Sequence, residues 1–278
     1  MKSSVIDELS IVDAYKDGYS VTSLSKIWHC DSRRISSVLR KHNVKIINHP
    51  FKYKFDENFF TSETIESYYF WGFILGDGCI TVGSGGEFIS LTLNRRDVSI
   101  LENFCKWTKR DEKSIKFYDK ISDYCRLDFH GKFFQNDFSK FGLVKRKTYN
   151  PVIPTIPDEF IKPYILGFID ADGSTAFHKK ITNNSLKKNG EARKVQFENS
   201  IQLVGHPIIM NWIIIKLREM GFKGHINFQT IPGKTDCEWK RIRIQRKQDV
   251  IDLVKILEVD KYFSILLKRK WENAYAVI

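Results

Sequence analysis

Two nine-residue segments of this chain repeat one another: FWGFILGDG at Phe70–Gly78 and ILGFIDADG at Ile165–Gly173. Aligned, the pairs Gly72/Gly167, Phe73/Phe168, Ile74/Ile169, Asp77/Asp172 and Gly78/Gly173 are identical, and Gly76/Ala171 is small in both. The copies lie 172 − 77 = 95 residues apart, room for one compact repeat. Self-similarity at a fixed spacing constrains architecture before any local pattern does. The chain reads as two related halves, each bringing one acid to a shared place.

Each copy is apolar and preceded by further aromatics (Tyr68, Tyr69; Tyr164), yet too rich in glycine for an ordinary amphipathic helix. Gly72-x-x-x-Gly76 and Gly167-x-x-x-Ala171 set small residues one turn apart on a helix face, which lets two backbones approach far closer than leucines would. The two helices are expected to pack along this seam and to stop together at Gly78 and Gly173 in a left-handed conformation. Asp77 and Asp172 then sit at adjoining helix C-termini, where the dipole already disfavours negative charge and mutual repulsion adds to the cost. A divalent cation relieves both, and oxygen donors of this kind suit magnesium. Asp170 lies two residues from Asp172 and points elsewhere on a helix; the first copy has Leu75 there. An isolated Asp-Gly is more often a simple turn, but a turn does not explain why apolar face and acid recur together.

On these residues the second copy resembles the LAGLIDADG motif of homing endonucleases, and the first its degenerate partner, with the likeness extending over residues 60–278. The resemblance implies an α+β fold: a pseudo-twofold pair of αββαββα half-domains, 61–150 and 151–278, with the motif helices at their interface. It implies that Asp77 and Asp172 bind the catalytic metal ions, with Gly76 and Ala171 in the same metal site, Mg2+ as the ion and Mn2+ as its substitute. It also implies a cation after the last sheet helix of each half. The matching runs are VKRKT at Val144–Thr148 and LKRKW at Leu267–Trp271. Lys147 and Lys268 are the candidate catalytic lysines, with Lys145 and Lys270 as alternates; a lone Lys-Arg-Lys run is otherwise an ordinary solvated patch. The implied activity is hydrolysis of both strands of a long, asymmetric DNA duplex across the minor groove, leaving 3′ overhangs, by a monomer.

Both halves are expected to run helix, two strands, helix, two strands, helix. The first half has strands near Cys79–Val82, Phe88–Asn94, Ser114–Asp119 and Tyr124–Phe129, with helices near Asp97–Thr108 and Lys132–Phe141. In the second, strands fall near Ser174–His178, Lys194–Val204, Gly224–Gln229 and Trp239–Gln245, with helices near Pro207–Met220, Lys247–Leu257 and Ser264–Ala276. The proline-rich Pro151–Pro163 divides the halves, and the polar Lys180–Arg193 is an inserted hairpin tip. Alternation assigns one face of the sheets to recognition. That face carries Ser90, Thr92, Asn94 and Arg126 (with Asp128) in the first half, and Gln196, Glu198, Ser200, Gln202, Arg241, Arg243 and Gln245 in the second. Such side chains suit direct readout of bases. Plain solvent exposure also produces alternation; the resemblance, in which each half lays a sheet in the major groove, favours DNA.

Residues 1–47 form a separate unit. A helix over about 6–17 ends at Gly18, Ser20 caps a second over Val21–Trp28, and a third starts near Asp31 with Ile35, Val38 and Leu39 at core spacing. The pattern resembles the helix-turn-helix of resolvases. Its third helix carries Ser32, Arg33, Arg34, Ser36, Ser37, Arg40 and Lys41 on the free face, suited to phosphates and guanine edges, though a solvated basic face reads the same. His42, Asn43, Asn48 and His49 lack the context of an HNH metal site. A linker, 48–60, interleaves Phe51, Lys52, Tyr53, Lys54 and Phe55, and reads either as a strap along DNA or as a packed arm.

The net charge of +12 over 278 residues implies a polyanionic partner. No apolar run approaches the roughly 20 residues that span a membrane, and MKSSVIDELS lacks a signal-peptide core. Five cysteines without C-x-x-C spacing suggest reduced thiols in a cytoplasmic or organellar compartment. A start at Met and the ending NAYAVI lack the His-Asn terminus of an intein, so a free-standing or intron-encoded gene is expected. Two other readings stay open: a DNA-binding regulator with idle acids, and an intron-RNA-binding splicing maturase.

Overall fold

The computed structural model describes residues 7–17, 19–46, 53–83, 86–118, 123–131, 137–181, 195–231 and 238–275, with 82, 83, 86, 178–181, 195–198 and 273–275 described by backbone alone. The chain divides into two compact units, Met1–Tyr53 and Lys54–Ile278.

The first unit contains α1 (Glu8–Lys16), α2 (Val21–Ile27) and α3 (Ser32–Lys41). Each begins on a short polar side chain, Asp7, Ser20 or Asp31, that accepts a hydrogen bond from a first-turn amide. His29 takes a positive φ of 47° in the turn between α2 and α3. Ile11, Val12, Leu24, Ile35, Val38 and Leu39 form the core.

The second unit repeats one plan. The first half runs α4 (Ile65–Asp77), β1 (Gly78–Gly83), β2 (Gly86–Asn94), α5 (Val98–Trp107), β3 (Lys116–Tyr118) and β4 (Tyr124–Phe129). The second runs α6 (Ile161–Asp172), β5 (Ser174–Ile181), β6 (Val195–Gly205), α7 (Pro207–Glu219), β7 (Asn227–Ile231) and β8 (Trp239–Ile244). It continues into α8 (Lys247–Ile256), α9 (Val259–Tyr262) and α10 (Lys268–Tyr275). Each half has one antiparallel four-stranded sheet, ordered β1-β2-β4-β3 and β5-β6-β8-β7. The registers correspond as well: Cys79 pairs with Ser90 and Ser90 with Asp128, as Ser174 pairs with Gln202 and Gln202 with Arg243.

Motif helices α4 and α6 pack backbone to backbone. A Cβ on Gly72 would lie 1.9 Å from the Tyr164 carbonyl oxygen, and one on Gly167 would lie 2.1 Å from that of Tyr69. The two contacts are symmetry mates, because Tyr69 and Tyr164 hold the same position in the repeat. Side chains that point away from the seam are buried by the sheets and by an aromatic cluster. In that cluster Phe60, Phe70 and Phe129 meet edge to face with centroids 5.3–5.7 Å apart.

Several expectations are corrected. Gly78 (φ −76°, ψ 150°) and Gly173 (φ −80°, ψ 158°) are extended rather than left-handed, because the chain enters β1 and β5 directly. Glycine is needed there for space: a Cβ would fall 2.6 Å from the Ile74 oxygen or 2.4 Å from the Ile169 oxygen. Of the two alternatives for the segment 48–60, its end takes that of a packed arm: Phe59 and Phe60 belong to the core of the second unit and Phe55 packs against it. Of the helix expected over 132–141, residues 132–136 lie outside the described residues, and Ser139–Phe141 is a 3-10 turn closed by Gly142 at φ 72°. The last helix starts at Lys268 rather than Ser264, because the Leu267 amide is bonded to Asp170. Most of the expected insert at 180–193 lies outside the described residues. Cys30, Cys79, Cys105 and Cys125 are free thiols, and no described helix is long and apolar enough to cross a membrane.

Gly72→Ala and Gly167→Ala should each lower the unfolding free energy by about 3 kcal/mol or more. The new methyl meets backbone that cannot move aside without separating the helices. Urea unfolding followed by circular dichroism measures it.

Candidate active site

Asp77 and Asp172 end α4 and α6, and the seam brings those ends together. A Cβ on Gly76 would lie 2.4 Å from the Ala171 Cβ and 3.3 Å from the Asp172 carboxyl carbon. Both acids are exposed to solvent on one side and crowded by protein on the other. Loss of hydration, and then the charge of Asp172, push Asp77 up to about 6. Asp172 is also raised by loss of hydration, against the pull of Lys147 and Lys270.

The lysines cap the same helices. Lys147 Nζ donates to the carbonyls of Ile74 (3.0 Å), Leu75 and Gly76 (2.5 Å) at the end of α4. Lys270 Nζ donates to the carbonyls of Ile169 (3.0 Å), Asp170 (2.5 Å), Ala171 (3.3 Å) and Gly173 (2.7 Å) at the end of α6. The Gly78 and Gly173 amides also donate to the Ile74 and Ile169 carbonyls, and cations suit this end of the dipole. Lys147 is pulled down to about 8 by burial, against the attraction of Asp172 and Asp77. Burial also lowers Lys270, which Asp170 and Asp77 oppose. Of the two lysines, the one acting more strongly on each acid comes from the other half: Lys270 on Asp77, and Lys147 on Asp172. The site is therefore woven across the seam.

Lys268, chosen from the sequence, does not reach this place. It is exposed at the start of α10, whereas Lys270, its alternate, is 7% exposed and faces the α6 terminus. The signal was present in the sequence: laying Val144–Thr148 over Leu267–Trp271 pairs Lys147 with Lys270. Lys145 instead forms an ion pair with Glu87.

Sequence reasoning set Asp170 aside without giving it a role. It is buried and accepts three hydrogen bonds of 2.7 Å each, from the Tyr69 hydroxyl, the Leu267 amide and the Trp271 indole. Nearby, Arg269 forms a two-pronged ion pair with Asp97 of the first half. These contacts join the C-terminal segment to both motif helices.

The donor set fits a hard divalent cation. No cluster of three or more His, Cys, Asp or Glu occurs among the described residues. Two carboxylates and the second lone pairs of the Gly76 and Ala171 carbonyls would thus share an ion with water or phosphate oxygens, the manner in which magnesium is usually held.

On the sheets, Thr92 and Asn94 are exposed and Gln202, Arg241 and Arg243 are half-buried, with Gln245 exposed beyond β8. Arg126 is half-buried, its Nε donating to Asp128 at 2.7 Å, where Lys116 also pairs at 3.0 Å. Two expected contact residues are corrected: Ser90 is 7% exposed and Ser200 fully buried, so neither hydroxyl is presented to a partner. The side chains of Gln196 and Glu198 lie outside the described residues. In the first unit, Arg33, Arg34, Ser37 and Arg40 are exposed on α3; Ser32 and Ser36 are half-buried, with Ser36 donating to the Ser32 carbonyl at 2.9 Å. Lys41 is tied to Glu8 at 2.8 Å.

Paired motif helices flanked by two four-stranded sheets of matching order make up the second unit, the arrangement that the resemblance of the repeated segment implies. No family model matches the sequence, and no curated protein is significantly similar. Among solved structures, the chain resembles the I-LtrWI LAGLIDADG homing endonuclease bound to target DNA, at a TM-score of 0.49 and 14% identity over 77% of this chain and 89% of that one. It also resembles the LAGLIDADG meganuclease I-AabMI bound to uncleaved DNA, at 0.46 and 18% over 74% and 87%. A third likeness is to I-SmaMI bound to an uncleaved DNA target in the presence of calcium ions, at 0.42 and 12% over 78% and 98%. At these values the likeness is one of arrangement only.

The raised Asp77 carboxyl sets a stability profile. Its folded value of about 6 exceeds the ordinary 3.8, so the native state holds more protons than the unfolded chain between those values. Stability of the metal-free protein should therefore fall as pH rises from about 4 to about 6. Thermal unfolding in a chelating buffer should show this decline, and Asp77→Asn should flatten it.

Proposed function

We propose that this chain is a monomeric LAGLIDADG homing endonuclease that makes a divalent-metal-dependent double-strand break in a long, asymmetric DNA target. One observation carries the reading: two acids meet at the ends of paired helices, where Lys147 and Lys270 each hold the terminal carbonyls of one helix. Two related centres in one chain match the two strands of a duplex. Such a chain needs no second copy.

Asp77 and Asp172, with the Gly76 and Ala171 carbonyls, would hold magnesium, or manganese in its place, which when bound activates water and neutralises charge on the leaving oxygen. The protein's own cations act on the same charge. Lys147 and Lys270 are held by helix carbonyls before substrate arrives, so they stabilise the crowded phosphate without rearrangement. Lys147, at about 8, is still mainly protonated at neutral pH. The helix ends fix the orientation of both acids.

Binding follows from charge and from the sheets. The net +12 favours a polyanion with strong salt dependence. Thr92, Asn94, Arg126, Gln202, Arg241, Arg243 and Gln245 supply donors and acceptors for base edges. The three-helix unit adds a helix-turn-helix contact through Arg33, Arg34 and Arg40, with Ser37 beside them, which lengthens the site. Its other expected contacts, Ser32 and Ser36, help shape that helix face. Cleavage across the minor groove with 3′ overhangs is the expected outcome.

The test is cleavage of a randomised duplex library with magnesium. A unique long site should be cut, and Asp77→Asn or Asp172→Asn should each lower double-strand cleavage by at least about 100-fold, in the range typical of losing a transition-state electrostatic group. Specific binding without cutting in magnesium or manganese would leave a regulator or an RNA-binding maturase instead. On the recovered site, Lys270→Ala should slow cleavage by about 100-fold while Lys268→Ala leaves the rate unchanged, as measured in single-turnover assays.

A further inference from the structure

The two halves of the active site share a plan but not their supports. Leu75 and Asp170 occupy the same position of the repeated segment, and only the second is a carboxylate. Two of the three donors to Asp170 flank Lys270 in sequence: the Leu267 amide and the Trp271 indole, both at 2.7 Å. The third, the Tyr69 hydroxyl, reaches it from α4 across the seam. Asp170 thus fixes the segment 267–271 from both sides of the lysine while the lysine caps the same helix.

Lys147 is held differently. Tyr164, the symmetry mate of Tyr69, donates to the Phe141 carbonyl at 2.7 Å, and no carboxylate is involved. Lys147 lies in an irregular turn that takes Arg146 to a positive φ of 55°, rather than at the start of a helix. Among the described residues, the three hydrogen bonds that Asp170 accepts come from residues outside that turn.

We propose that Asp170 is a positioning residue for Lys270 alone, so that the centres cutting the two DNA strands rely on different supports and can be uncoupled. This rests on the nuclease reading above. A carboxylate only accepts hydrogen bonds, and here both oxygens face donors. In Asp170→Asn one oxygen becomes an amide nitrogen, which sets N–H against N–H or O–H in a buried place. The segment 267–271 then shifts, and Lys270 leaves the carbonyls of residues 169–173. Lys147, held by the carbonyls of Ile74, Leu75 and Gly76 at the end of α4, stays in place.

The experiment uses a supercoiled plasmid carrying the recovered target, with each strand followed separately. Asp170→Asn should slow one strand by about 10- to 100-fold, the usual effect of losing a supporting partner. The other strand should keep the wild-type rate, so nicked circles accumulate before linear product. Ile242→Ala is the control, a core truncation on β8 of the same half that leaves the Asp170 hydrogen bonds intact. It should lower the unfolding midpoint and keep the wild-type ratio of strand rates. Equal slowing of both strands by Asp170→Asn, or the same bias from Ile242→Ala, overturns the proposal and leaves Asp170 a general structural support. Should Asp170→Asn fail to fold cooperatively, Trp271→Phe removes one donor and keeps the carboxylate; the same bias supports the proposal and an unchanged ratio overturns it. A wild-type chain that cuts neither strand overturns the nuclease reading, and this proposal with it.

Discussion

Everything in the second unit depends on how closely α4 and α6 approach. At Gly72 and Gly167 each helix rests against the other's backbone, where any side chain would overlap a carbonyl oxygen. Close approach is what puts the two helix ends side by side, and with them the two acids. A seam of larger residues would set the axes farther apart, as ordinary helix packing does. The carboxylates would then be separate surface groups with no shared chemistry. The sheets follow from the same contact, because each begins at the residue where its motif helix stops.

The helix ends create an electrostatic problem that the lysines partly solve. Terminal carbonyls, two dipole ends and two carboxylates all concentrate negative potential in one place. Lys147 and Lys270 answer the carbonyls by direct hydrogen bonds and the carboxylates through space. The compensation is incomplete: both acids are raised and both lysines are lowered. The cation and phosphate of the proposed reaction would relieve that imbalance.

Duplication within one chain also lets the halves diverge. Ser90 and Asp128 on the first sheet correspond in register to Gln202 and Arg243 on the second. One half thus carries a buried acid neutralised by Arg126 and Lys116, where the other carries a cation. The two sheets therefore differ in their charge arrangement at matching positions. The Leu75/Asp170 difference shows the same divergence inside the repeated segment.

Legible along the chain alone are the repeat, the paired acids, the order of helices and strands, and the inward alternation of Ile242, Ile244, Leu91 and Leu93, all of which are buried. These features are local or periodic, so they survive without knowledge of the partner surface. Lys270 over Lys268 was legible only in part, because both lie in one basic run and the choice depends on which face of α10 meets α6. The extended glycines at 78 and 173, the burial of Ser90 and Ser200, the packing of Phe55 and Phe60, and the hub at Asp170 were decided by tertiary structure. Each turns on what lies across from the residue, at separations of up to about a hundred positions in the chain. Spacing along a chain fixes which groups can share a face; only the packed fold fixes which of them touch.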